Sequence, residues 1–258
     1  MTEESWRFID SGALPGAMNM ALDQAIMAAV LENKAPPTLR VYGWRPDAVS
    51  LGRFQRAESS VNLEACRRLG IDVVRRPTGG RAILHTSDEV TFSITLPAAR
   101  LRTTGVMDAY RELAKGIMEA LRLLGLDARL VARAGPAGPA AAQDPACFAV
   151  QARCDLVVGG AKVVGSAQVQ RQGVILQQNS LPLRLHLDRW QEVFRRSHTP
   201  PKAVGLAETA GRPVGYQEVA EALREGVSRA FGIRFVEDAP TAAERRLAAE
   251  LIPTATVA

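Results

Sequence analysis

Residues 155–183 read DLVVGGAKVVGSAQVQRQGVILQQNSLPL, and this stretch decides the fold class. An apolar run at 155–158 meets Gly159-Gly160, a turn signal, and a second run follows over 162–168, so the two form a hairpin. A third strand covers 174–183. Upstream, TLRVY (38–42) and AVSLG (48–52) are short strands separated by a turn at Arg45-Pro46-Asp47. IDVV (71–74) and TFSITL (91–96) flank a glycine loop at 78–80. Helices interrupt the strands. One is expected at 19–33, capped by Asn19 with Leu22, Ile26, Ala29 and Val30 on one face. A short one covers 61–69, and a long one spans 104–124 with a stripe from Met107 to Leu124 and Gly125 as its stop. Further helices are expected at 188–196 and 216–231. The Thr241/Glu244 capping box opens a last one at 242–251. Hairpins mixed with helices predict an α/β fold with a mixed, largely antiparallel sheet and flanking helices, not a doubly wound one. Neither GxGxxG nor GxxxxGK[ST] follows a strand.

The chain has 258 residues, 47% hydrophobic and 23% charged, enough for a substantial core without disulfide or metal staples. A main domain is expected over 1–210, with 211–258 as a helical extension packed on it. No run reaches the ~18–20 apolar residues of a membrane span. The opening MTEESW is acidic and polar, unlike a secretory leader, so a cytoplasmic protein without membrane association is expected. The net charge of +5 suits acidic partners. No nucleic-acid module is recognisable, and the basic residues are spread along the chain, so nucleic acid is not expected. Three cysteines and three scattered histidines give no zinc spacing, and no cofactor is expected.

Three features could carry chemistry. In Arg75-Arg76-Pro77-Thr78-Gly79-Gly80-Arg81, paired glycines let backbone amides approach a ligand, and flanking arginines offer forked donors to an anion. The bland reading is a hairpin turn with solvated arginines. In Gly160-Ala161-Lys162-Val163-Val164-Gly165-Ser166-Ala167-Gln168, Lys162 either snorkels to water or points into a site where burial depresses its pKa. Cys147 follows AGPAGPAAAQDPA (134–146), a low-complexity stretch read as a surface loop. A cysteine is commonly a small apolar core residue, and Cys66 is assigned that role. A cysteine presented by a loop beside a cation can instead be a nucleophile.

Taken in this order, with Trp6 to Gly12, Asn19-Met20-Ala21-Leu22-Asp23, Cys147-Phe148 and Gly173 to Gln177, these motifs resemble a known family. It is that of the octanoyl transferases of lipoate biosynthesis acting on glycine cleavage H protein, in the lipoate–biotin ligase superfamily. The resemblance implies that superfamily's catalytic-domain fold, with an acyl tunnel and a cysteine on a loop. It implies that Cys147 takes octanoate from acyl carrier protein and passes it to a lysine of a lipoyl-domain protein such as glycine cleavage H protein, with Lys162 assisting. It also implies that Arg76, Thr78, Gly79, Gly80, Arg81 and His85, with Gly165, Ser166, Ala167 and Gln168, line the acyl and pantetheine pocket.

The sequence departs from the family in three places. Thr86 follows His85 where the family usually has Asp, Gln177-Gln178-Asn179-Ser180 stands where QHGS is frequent, and the stretch before Cys147 is rich in Ala, Gly and Pro. Three other readings remain open: an ATP-dependent lipoate–protein ligase, an amidotransferase between lipoyl domains, and a non-catalytic carrier-binding module.

Overall fold

The computed structural model describes residues 4–101, 103, 105–131, 144–149, 155–194 and 203–257. Among these, eleven strands run in chain order. They are β1 (Glu4–Leu14), β2 (Thr38–Trp44), β3 (Ala48–Leu51), β4 (Asp72–Arg75), β5 (Ile83–His85), β6 (Glu89–Pro97), β7 (Arg129–Leu130), β8 (Leu156–Val158), β9 (Ala161–Arg171), β10 (Val174–Pro182) and β11 (Ile233–Glu237). The helices are α1 (Gly16–Leu31), α2 (Ala57–Ser60), α3 (Leu63–Leu69), α4 (Val106–Leu123), α5 (Leu187–Val193), α6 (Leu206–Ala210), α7 (Tyr216–Phe231) and α8 (Ala242–Ala255).

Eight strands form the main sheet in the order β11-β1-β2-β6-β10-β9-β8-β7, and a small sheet runs β4-β3-β5. The β8–β9–β10 meander is antiparallel and continues antiparallel to β6 and β2, while β1 pairs parallel with both β2 and β11. The expected mixed, largely antiparallel sheet is therefore present. Strands β1 and β11 were not anticipated. In β2 every residue is buried, which erases the alternation that marks a half-buried strand. β11 opens and closes the run from Ile233 to Glu237 between two helices.

Amphipathic α4 and α7 cover one face, and their packing is close: a Cβ added at Gly226 would lie 2.4 Å from the Ala120 backbone nitrogen. α1 and α8 cover the other, where Ala21, Leu22 and Ala25 meet Ala248. Residues 211–257 hold α7, β11 and α8, so they supply an edge strand of the main sheet as well as helices. The Thr241/Glu244 capping box is present, and Glu244 also clasps Arg7 of β1 at 2.6 and 3.0 Å.

Asn19 does not cap α1. The helix starts three residues earlier, and Asn19 is fully buried inside it, donating to the Leu14 and Gly43 carbonyls and accepting from Arg40. A polar residue near a helix start reads as a cap when its partners come from distant strands. The proposed loop 134–147 falls largely outside the described residues. Its end, Asp144 to Ala146, is buried.

Candidate active site

The small sheet meets strands β9 and β10 of the large one around the Arg75–Arg81 loop. Arg76 is 4% exposed, and its guanidinium donates to the carbonyls of Gly79 (2.7 Å), Arg81 (2.7 Å) and Ser50 (2.9 Å). Burial draws its pKa down to about 10 despite the opposing influence of Cys147 and Tyr42. Its donors are thus committed to shaping the glycine turn. Gly80 has φ +90, a conformation that glycine adopts without strain, and a Cβ at Gly52 would stand 1.9 Å from its carbonyl oxygen.

Thr78 is fully buried and donates to Gln178 Oε1 at 2.9 Å. Gln178 Nε2 reaches Asp23 at 2.7 Å, and Asp23 also receives Arg40 (2.8 Å), Tyr42 (2.9 Å) and Ser93 (2.8 Å). The glycine loop is therefore wired to α1 through a buried polar hub. His85 stacks on Trp44 at 3.9 Å, with Ser50 Oγ 2.8 Å from Nε2 and Glu89 Oε1 2.7 Å from Nδ1.

Arg76, His85 and Gln178 are among the polar residues that line a narrow cavity whose apolar wall includes Met20, Trp44, Ile83, Gly165 and Ala167. A second cavity, lined by Leu84, Leu185, Trp190 and Phe148 among others, shares Ile83 with the first. Gly165 and Ala167 reach the first cavity. Strand alternation sends Ser166 and Gln168 to the other face of the sheet, where both polar atoms of the Gln168 side chain are buried without a hydrogen-bond partner.

Cys147 begins a short 3-10 turn, Cys147–Ala149, held beside the glycine loop by reciprocal bonds. Ala82 N donates to the Pro145 carbonyl at 3.0 Å and Cys147 N to the Ala82 carbonyl at 2.8 Å. Phe148 is buried with its ring against Gly165, where a Cβ would come within 3.0 Å of it. A side chain at Gly165 would press on that ring, which would have to shift by a few tenths of an ångström.

Lys162 opens β9 just after the Gly159-Gly160 turn, where the β8–β9 register shifts, an irregularity that re-aims side chains. It is 2% exposed, and its Nζ lies 3.5 Å from Cys147 Sγ and 2.9 Å from Asp155 Oδ2. The expected depression of its pKa is not found. Burial does act to lower it, but the negative charges of Cys147 and Asp155 outweigh burial and the pKa is raised. Asp155, itself 5% exposed, was missed. Its only signal was a carboxylate entering an apolar hairpin strand.

Cys66 lies in the core of the small sheet, and burial pushes its thiol up to about 11, as suits an unreactive residue. Cys154 lies outside the described residues. Among the described residues no cluster of His, Cys, Asp or Glu could hold a metal ion, and no helix is long and apolar enough to cross a membrane.

The chain and its fold have counterparts among known proteins. Residues 15–228 match the lipoyl protein ligase A/B catalytic domain. The octanoyltransferase LipM of Kyrpidia tusciae is 40% identical, covering 96% of this chain and 95% of its own. LipM of Bacillus subtilis is 36% identical, covering 90% and 88%. A lipoate-protein ligase A bound with ATP superposes with a TM-score of 0.82 at 28% identity, covering 96% of this chain and 94% of its own. A chain from the structural analysis of an archaeal lipoylation system, a bi-partite lipoate protein ligase and its E2 lipoyl domain from Thermoplasma acidophilum, gives 0.78 at 25%, covering 97% and 92%. The chain is an enzyme, an acyltransferase, and belongs to the lipoyl protein ligase A/B catalytic-domain family.

Proposed function

We propose that the enzyme moves an octanoyl group from acyl carrier protein, through a thioester on Cys147, to a lysine of a lipoyl-domain protein, with glycine cleavage H protein as the acceptor. One observation carries this reading: the Lys162 ammonium bridges Cys147 Sγ and the Asp155 carboxylate at 3.5 and 2.9 Å. A ligase that activates a free acid with ATP has no use for a cysteine there. The LipM names of the relatives supply the octanoyl group.

The chemistry balances without ATP. The Cys147 thiolate adds to the donor's thioester carbonyl, the bond from acyl carbon to pantetheine sulfur breaks, and the departing thiolate takes a proton from Lys162. One thioester replaces another, a nearly even exchange. The acceptor's neutral amine then adds to the acyl carbon, and the bond to Cys147 breaks. The now neutral Lys162 removes the surplus proton from nitrogen, leaving an amide and restoring the ammonium–thiolate pair. Amide formation from a thioester is strongly downhill. Asp155 keeps Lys162 in place while sulfur is esterified and carries no charge. The amide of Cys147 is bound to the Ala82 carbonyl, which leaves the Gly79 and Gly80 amides and Lys162 itself as the candidate donors to the oxyanion. The cavity flanked by Met20, Trp44 and Ala167 supplies an apolar lining for the chain.

Incubation with octanoyl carrier protein, followed by intact-mass measurement, should show one octanoyl adduct on Cys147, and none in Cys147→Ala. Full transfer by that variant would sink the reading. Pyrophosphate exchange with free octanoate would favour a ligase instead.

A further inference from the structure

The turn Gly52–Arg56 is fastened from several sides. Gly52 N donates to Gln55 Oε1 at 3.0 Å, and Gln55 N returns a bond to the Gly52 carbonyl at 2.9 Å. Arg75 Nη1 lies 3.1, 3.3 and 2.7 Å from the carbonyls of Gly52, Arg53 and Gln55. Arg53 N donates to the Thr78 carbonyl at 2.9 Å. What this rigid turn displays is Phe54, 87% exposed, the most exposed large apolar side chain among the described residues. The Arg53 guanidinium sits 5.4 Å from its ring, and Arg56 is exposed beside it. Neither arginine forms an ion pair among the described residues.

Fraying can leave an aromatic ring in water, but a turn with its backbone tied down holds it there. Aromatic residues and arginine are the types enriched at protein interfaces and their anchor points. The turn also touches the chemistry, because Gln55 Nε2 donates at 3.1 Å to the Pro145 carbonyl, two residues before Cys147.

We propose that Arg53, Phe54 and Arg56 form the docking element for the acyl donor, a small acidic carrier domain whose thioester hangs on a phosphate-linked arm. This rests on the thioester reading above. Charge names the occupant: the turn presents two exposed arginines, Arg53 and Arg56, and Gly52–Arg56 holds no acidic residue. Forked guanidiniums suit carboxylates and a phosphodiester. The ring beside them is the apolar anchor. The acceptor brings a lysine and no phosphate, so it is the poorer match.

Single-turnover acylation of Cys147, read by intact mass, tests this with two donors, octanoyl carrier protein and octanoyl-pantetheine. In Phe54→Ser and in Arg53→Glu/Arg56→Glu, both surface changes with folding checked by circular dichroism, the rate from the carrier should fall about tenfold or more. The rate from the small thioester should stay at the wild-type value. Equal carrier rates in wild type and variants would overturn the docking element. So would a loss confined to the second step, acyl-enzyme to lipoyl domain, which would assign the turn to the acceptor. A wild-type enzyme acylated by neither donor would bring down the thioester reading itself, and the docking element with it.

Discussion

An ammonium that is 2% exposed keeps its proton only because anions stand against it. At Lys162 those anions are Cys147 and Asp155, and they hold its pKa above the ordinary lysine value of 10.5. The sign follows: the charged form is fully present through neutral pH and is lost only as pH rises past that ordinary value. Asp155→Asn removes one anion, so the ammonium should be lost at lower pH. Transfer should slow by about 10²-fold, the low end for a proton-transfer group, with the donor KM little changed. The pH dependence of Cys147 alkylation by iodoacetamide should move as well, and a variant profile superimposable on the wild-type one would show that Asp155 only packs. That Cys147 and Lys162 would stand together, as they do at 3.5 Å, was expected from the order of motifs the chain shares with the family it resembles. A cysteine after a loop and a lysine at a strand start are each ambiguous alone. Asp155 was not expected, since a carboxylate before a strand is ordinarily a solvated flank. Gln168 was misplaced for a related reason: a motif quoted as a string hides that alternate residues of a strand face opposite ways.

Elements differ in how much of themselves they write into the sequence. α4 and α7 have apolar stripes at helical spacing, and both were placed to within about two residues, the usual ambiguity of helix ends. The β8–β9 hairpin was legible through Gly159 and Gly160, both at positive φ. β1 was illegible, because a register shift between Asp10 and Ala13 breaks its pattern and its partners lie far away in sequence. Two glycines at this scale give opposite outcomes. Gly52→Ala pushes a Cβ against the Gly80 carbonyl, so the glycine turn must move. Overpacking of this kind costs about 1–3 kcal/mol, and here transfer should fall along with thermal stability. Gly226→Ala forces α7 off α4 at Ala120. Its melting temperature should drop by a similar margin while kcat of the folded enzyme is retained. Calorimetry beside a transfer assay separates the two.

Across the whole molecule, the buried pair Arg7–Glu244 ties the first strand to the last helix. Removing Glu244 leaves the buried Arg7 with only the half-exposed Asp238, 3.8 Å away, as counter-ion, so Glu244→Ala should cost about 3 kcal/mol in urea unfolding, the low end for a broken buried pair. Burial acts to raise the Glu244 pKa, but the bonds from Arg7 and Thr241 prevail and it is lowered. Its contribution is therefore present above the ordinary glutamate value and disappears as pH falls through the depressed one. A wild-type stability curve steeper in acid than that of Glu244→Gln would register this. The overall class was readable from the meander at 155–183, whereas the closure of the sheet by 233–237 was not, since nothing local announces a strand's distant partner.

That closure has a consequence for how the chain is made. Glu4 pairs with Ile233 and Phe8 with Glu237, so one edge of β1 stays open during synthesis until β11, far downstream, has emerged. Pairings this distant are formed slowly, and through that interval the nascent chain exposes an unpaired strand edge, the kind of surface on which chaperones act.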